Sequence, residues 1–302
     1  MNGFNEESYK SMVNDLINDI FYNETGSDRG KISTIRQYAE VIVRKILNLS
    51  HTEYVTLGKR EIVNELKRVS SNNFLLMDSL NKLRIWGNDT THTQYINEVG
   101  QEELEECKSS LINLYAYLYI HYFEKYKFGK DLEILSSFSI LPPIVRYTVL
   151  NYLYKKYPNN LDVIDKFGLA ILKAFGKIES KQWLDENKEL LKELSCISEE
   201  GKEALIQQHG ELIAQNIIEN APKDMYELCL DKINDVEECI NTNGLLYKNF
   251  EEAIKLYKEK GHVFGESDEI KEFNSIMQFV YLGREAIQND RLQDLDKYMI
   301  LA

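Results

Sequence analysis

Apolar side chains recur every three to four positions along most of the chain, the period of a helix with one face turned to a core. Tyr9, Met12, Val13, Leu16, Ile17, Ile20 and Phe21 form such a stripe and predict a first helix over 5–23, closed by Gly26. Ile35, Tyr38, Ala39, Ile42, Ile46 and Leu49 predict a second over 33–49, and Ile62, Leu66 and Val69 a shorter third over 59–69. Ser70-Ser71-Asn72-Asn73 supplies capping side chains for a fourth, which turns Leu76, Leu80 and Leu83 inward and carries Lys82 and Arg84 towards its end. Glu102 and Glu103 open a fifth helix that is apolar on nearly every side from Leu111 to Phe123, as a central helix or an oligomer interface would be. Its Tyr115, Tyr117, Tyr119 and Tyr122 read as core and interface residues.

Phe128-Gly129-Lys130 makes the best boundary, dividing a bundle over 1–128 from a second helical domain over 129–302. In the second part Pro142-Pro143 opens a helix to Lys156, and further stripes predict helices over 161–175, 180–194, 199–219, 223–241, 245–260 and 267–288, with a short last one after Asp290. Several begin roughly 20 residues apart, the spacing of stacked helical hairpins, although no motif repeats in residue identity. No alternating run of Val, Ile and Thr between hairpin turns occurs, so the fold class is all-α.

Composition sharpens this reading. An apolar content of 43% with 28% charged residues is that of a globular protein rather than a disordered one. The net charge of -13 is uneven: residues 1–130 carry 16 basic against 18 acidic residues, and residues 131–302 carry 20 against 31. Between Arg29 and Arg84 the balance reverses, with 11 basic and 5 acidic residues. That segment could attract a phosphate backbone through Arg44, Lys45, Lys59, Arg60, Lys67, Arg68 and Lys82, or be a solvated helix surface. The acidic remainder argues against nucleic acid wrapping the whole molecule. Cys107, Cys196, Cys229 and Cys239 form no C-x-x-C pair and have no histidine at ligand spacing, so neither a metal nor redox chemistry is expected and the thiols read as free in a reducing cytoplasm. No cofactor motif is present. Gly26 to Ser33 fails as a phosphate loop, since the glycine spacing is too short and Ile32 follows the lysine. His51 reads as a solvated loop residue, His209 and His262 stand alone, and no pair of Glu-x-x-His motifs on two helices, as a di-metal bundle needs, occurs. No secretory leader and no membrane span are expected, which places the chain in the cytoplasm.

The remaining chemistry gathers at L-N-K-L-R-I-W-G-N-D-T-T-H-T-Q-Y, Leu80 to Tyr95. On a continuous helix Arg84, Asn88 and His92 fall at i, i+4 and i+8 and drift around one face by about 40° per step. Gly87 costs roughly 1 kcal/mol inside a helix, and a break at Gly87-Asn88 would be needed to swing His92 round to Arg84.

Two segments, Y-A-E-V-I-V-R-K-I-L at Tyr38 to Leu47 and L-R-I-W-G-N-D-T-T-H at Leu83 to His92, resemble the HEPN-like helical domain of some type I restriction endonuclease subunits and bacterial defence proteins. The resemblance spans about residues 1–128. It implies a compact, usually dimeric bundle in a defence system, many of whose relatives cleave RNA without metal. In that pattern Arg84 would steady the phosphate and His92 would shuttle a proton at the ribose 2′-hydroxyl, with two copies assembling the site across a dimer. Two departures are visible: seven residues separate Arg84 from His92, one more than the usual span, and Ile85 replaces the polar neighbour.

Two functions therefore follow from the sequence. One is a dimeric protein that binds or cleaves RNA through Arg84, His92 and Asn88. The other is a non-catalytic helical adaptor that dimerises through the bundle and binds a partner protein with its acidic half.

Overall fold

The computed structural model describes residues 3–92 and 96–285, and the expected short helix after Asp290 lies outside them. In chain order the helices are α1 (Glu6–Ile17), α2 (Asp28–Ile46), α3 (Arg60–Val69), α4 (Phe74–Thr91), α5 (Gln101–Tyr126), α6 (Leu132–Phe138), α7 (Pro143–Lys156) and α8 (Leu161–Phe175). There follow α9 (Lys177–Glu186), α10 (Lys188–Glu193), α11 (Glu199–His209), α12 (Glu211–Asn220), α13 (Met225–Asn243), α14 (Phe250–Lys260) and α15 (Asp268–Val280). No strand occurs among the described residues, so the chain is all-α. None of the described helices is long and apolar enough to cross a membrane.

Side-chain caps set most of the starts. Asn5, Ser27, Asn73, Asn160, Ser198, Asp224 and Ser267 each accept a backbone N–H of the first turn that follows. Capped by Ser27, α2 begins at Asp28, five residues before the expected start at 33, because Gly30, which offers no side chain to pack, still presents its N–H to the Ser27 hydroxyl at 3.1 Å. Breaks inside two expected helices have equally local causes. Asn187 ends α9 by donating its side-chain amide to the Trp183 carbonyl at 2.7 Å, while its Oδ1 accepts from the Tyr154 hydroxyl at 2.8 Å. Gly210, at φ +79°, separates α11 from α12 in a conformation that few other residues adopt.

The chain forms two compact units. The first comprises 1–127 together with 250–287, so the stretch expected as one continuous acidic domain over 129–302 does not stay together. Helix α5 is its centre: Leu111, Leu114, Tyr115, Tyr119, Tyr122 and Phe123 are buried. Helices α2 and α4 cover part of it, and α15 covers another part through Phe273, whose ring centroid lies 5.4 Å from that of Tyr122, and Met277, whose sulfur accepts from the Tyr119 hydroxyl at 3.0 Å. The apolar surface of α5 that suggested an oligomer interface is thus covered within the unit.

Polar contacts staple the returning segment in place. Lys45 bonds Glu6 at 2.5 Å and Ser275 at 2.7 Å, and Asn14 donates to the Gly283 carbonyl at 2.8 Å. At the centre the buried Arg284 guanidinium pairs with buried Glu251 and donates to the Tyr115 hydroxyl at 3.0 Å. Arg284 also lies 4.1 Å from the centroid of the Phe250 ring. A buried pair of this kind gives little net stability by itself, but loss of one partner strands a charge in the core.

The second unit spans 128–249 among the described residues. Helices α7, α9 and α13 pack around α8, where Phe167, Trp183 and Ile233 meet close to Gly168. Helix α6, too short to announce itself by periodicity, is capped by Asp131, which accepts from Glu133 and Ile134.

Candidate functional site

Helix α4 runs without a break from Phe74 to Thr91, through Gly87 and Asn88. Gly87 is there for contact, not for a turn: a Cβ at this position would meet Cβ and Cγ of Arg36 at 2.8 and 2.9 Å, so α2 could not pass so close. The same Arg36 donates through Nη1 to Asn88 Oδ1 at 2.5 Å and lies 3.8 Å from Glu40 one turn along α2. Burial raises the Glu40 carboxyl above the ordinary range, against the opposing charge of Arg36 and a hydrogen bond from the Leu57 backbone. Asn88 is therefore occupied in tying α4 to α2.

Arg84 and His92 have different neighbours. The Arg84 guanidinium donates to Asn81 Oδ1 at 2.8 Å, and its stem lies along Gly58. His92 caps the helix with its backbone N–H on the Asn88 carbonyl at 3.0 Å, and its side chain is exposed. Eight residues of regular helix separate the two by about 12 Å along the axis and about 80° around it. No hydrogen bond joins Arg84 to Asn88 or to His92 within one chain among the described residues, and the break required to bring them together is not formed. Thr93 to Tyr95, the end of the stretch, lie outside the described residues.

The rest of α4 is likewise engaged in packing. Trp86 donates to Glu106 of α5 at 2.8 Å, and Lys82 pairs with Asp78 at 3.2 Å and Glu106 at 3.4 Å. Arg29 donates to the carbonyls of Asp89 and Asn97 at 3.2 and 2.9 Å, a cation on the carbonyl end of α4. Neither Arg29 nor Arg36 stood out in the sequence, because each acts on a segment more than fifty residues away and no local spacing marks it.

The basic residues between 44 and 82 have different neighbours. Arg44 donates to the Ser50 carbonyl at 2.7 Å, Lys45 is held by Glu6 and Ser275, and Arg68 pairs with Glu65 at 2.5 Å. Lys59 lies 5.7 Å from the Tyr54 ring centroid, and Arg60 and Lys67 are exposed on α3. Four of these seven cations thus contact an acid or a carbonyl within the chain. Among the described residues no three His, Cys, Asp or Glu side chains gather as a metal site. The buried Cys107 and Cys229 thiols are pushed up to about 12 by desolvation and nearby carboxylates, so neither is a nucleophile near neutral pH.

A second candidate stands in the other unit. Between Leu194 and Met225, whose backbones bond at 2.9 Å, the chain makes an excursion consisting of α11 and α12 packed on each other. Helix α11 has no buried residue and α12 only Ala214. Leu212 is 84% and Ile213 57% exposed, and Ile206 and Ile217 are exposed beside them. Glu199, Glu200, Glu203, Glu211 and Glu219 against Lys202 make the pair strongly acidic. Apolar side chains on an acidic helix pair suit a basic amphipathic helix. The sequence showed the apolar stripe of 199–219 but not that it stays exposed among the described residues.

Comparison with known proteins yields no matching family model, no matching curated protein and no matching solved structure.

Proposed function

We propose that this chain is a non-catalytic helical adaptor that docks a partner protein's basic amphipathic helix on α11–α12. The observation that supports the reading is the exposure of Leu212, Ile213, Ile206 and Ile217 on an acidic helix pair. The polar residues of α4, by contrast, are engaged in packing or stand apart from one another. Association of this type draws affinity from apolar anchors and orientation from the charged rim.

A labelled lysine-rich amphipathic peptide tests it by fluorescence anisotropy. The wild-type chain binds it, an acidic peptide of the same apolar pattern does not bind, and Leu212→Glu with Ile213→Glu abolishes the signal. Equal binding by the wild type and the double variant contradicts the reading.

A HEPN-like, RNA-directed role in a defence system is the second reading, favoured by one observation: the His92 side chain is exposed and Arg84 is partly so. It requires a second copy of the chain to bring an imidazole to the guanidinium. Metal-independent cleavage of single-stranded RNA that is lost in both Arg84→Ala and His92→Ala would establish it and remove the adaptor reading.

A further inference from the structure

Helices α1 and α14 and the end of α15 line a cleft of about 730 Å³ that lies wholly within the first unit. Ile254 and Tyr257 of α14 and Leu282 after α15 give it apolar surface, and Ser11 and Asn14 of α1 add a hydroxyl and an amide. Clefts of roughly 300–1,000 Å³ take small organic molecules, held by apolar contact and oriented by a few polar groups.

One wall is the end of an aromatic column. The Arg284 guanidinium lies 4.1 Å from the centroid of the buried Phe250 ring, and Tyr281 meets that ring edge-on at 5.4 Å and 82°. Tyr257 then stacks on Tyr281 at 4.3 Å and 10°. Tyr281 is buried and Tyr257 half-buried, so the column runs outward from the core and ends, among the described residues, on a ring that lines the cleft. The outer face of such a ring suits another flat π-system. Donors for an anion stand beside it: Lys258 is the next residue of α14, and His262 follows Gly261, which turns the chain at φ +73°. The other charges of the lining are Lys10, 3.9 Å from Glu7, Arg284, paired with Glu251 in the core, and Glu285. A carboxylate such as Glu285 accepts from hydroxyl groups.

We propose that this cleft binds a nucleoside monophosphate, its base laid on Tyr257, its phosphate held by Lys258 and His262, and its ribose hydroxyls donating to Glu285. A single-ring aromatic acid would leave most of the cleft to water, and free phosphate would leave the tyrosine face unused. The site belongs to the first unit and is separate from the helix pair α11–α12 of the second.

The probes are AMP, adenosine and ribose 5-phosphate, each titrated into the full chain and followed by saturation-transfer magnetic resonance, which reads weak as well as tight binding. AMP is expected to bind, and loss of either the phosphate or the base should weaken binding about tenfold or more. Lys258→Gln, a change at an exposed side chain, should weaken AMP about tenfold and leave adenosine unchanged, whereas Tyr257→Leu should weaken AMP and adenosine alike. No binding of AMP by the wild-type chain would overturn the proposal. So would ribose 5-phosphate that binds as well as AMP, or an AMP affinity unchanged in Lys258→Gln, which decides the matter even if Tyr257→Leu does not fold.

Discussion

Helix α4, of 18 residues, and helix α12, of 10, stand in opposite conditions. On α4 nearly every polar group capable of chemistry has been drawn into the packing of its own unit: Asn88 by Arg36, Trp86 by Glu106, and the final carbonyls by Arg29. On α12 only Ala214 is buried among the described residues. A cluster of Arg, Asn and His is therefore no better sign of function than bare leucine and isoleucine. What separates them is whether the partners of each group lie within the chain.

The contrast can be broken at its most heavily packed point. Glu251→Ala leaves the Arg284 guanidinium buried without its carboxylate, and urea unfolding should show a loss of about 3–5 kcal/mol. The double change Glu251→Leu with Arg284→Met should recover much of that loss; no recovery would mean that the pair does more than neutralise itself. Next in size is Gly87→Ala. Better helix propensity contributes up to about 1 kcal/mol, but the added methyl meets Arg36 at its Cβ, and overpacking costs typically 1–3 kcal/mol, so net destabilisation is expected. A gain in stability would instead show that α2 and α4 can separate freely.

Much of the architecture could be read from the chain, and the exceptions have physical causes. Helices α7 and α8 follow their apolar stripes because each stripe is uninterrupted and begins at a proline or at a capping side chain, Asn160. The break that Gly87-Asn88 could have made is not formed, and a glycine that admits a neighbouring helix and one that ends a helix look alike without that neighbour. The return of residues 250–285 to the first unit rests on pairs such as Tyr119 with Met277 and Arg284 with Tyr115, more than 150 residues apart in sequence. No local pattern encodes them. Arg84, Asn88 and His92 lie close in sequence, but spacing does not show that Asn88 turns to Arg36.

A smaller effect concerns pH. Desolvation, with Arg146 and Lys166 close by, holds Lys173 well below the usual lysine range. Between that lowered value and the ordinary 10.5, the unfolded chain binds a proton that the folded chain does not. Stability contributed at this position therefore rises with pH across that window and is lost as pH falls through the folded value. Lys173→Met should flatten the rise in urea midpoint with pH; an unchanged slope would place its origin elsewhere. Smallest of all, Leu212→Ala should alter stability by no more than about 0.5 kcal/mol, since the side chain is already in water. A large loss would mean that α12 has a partner inside the chain after all.

The most direct test of the central claim is amide hydrogen exchange with and without the lysine-rich amphipathic peptide. The account predicts slowed exchange confined to residues 199–220, with 74–92 unchanged. Protection over 74–92 with none over 199–220 would contradict it and return attention to Arg84 and His92.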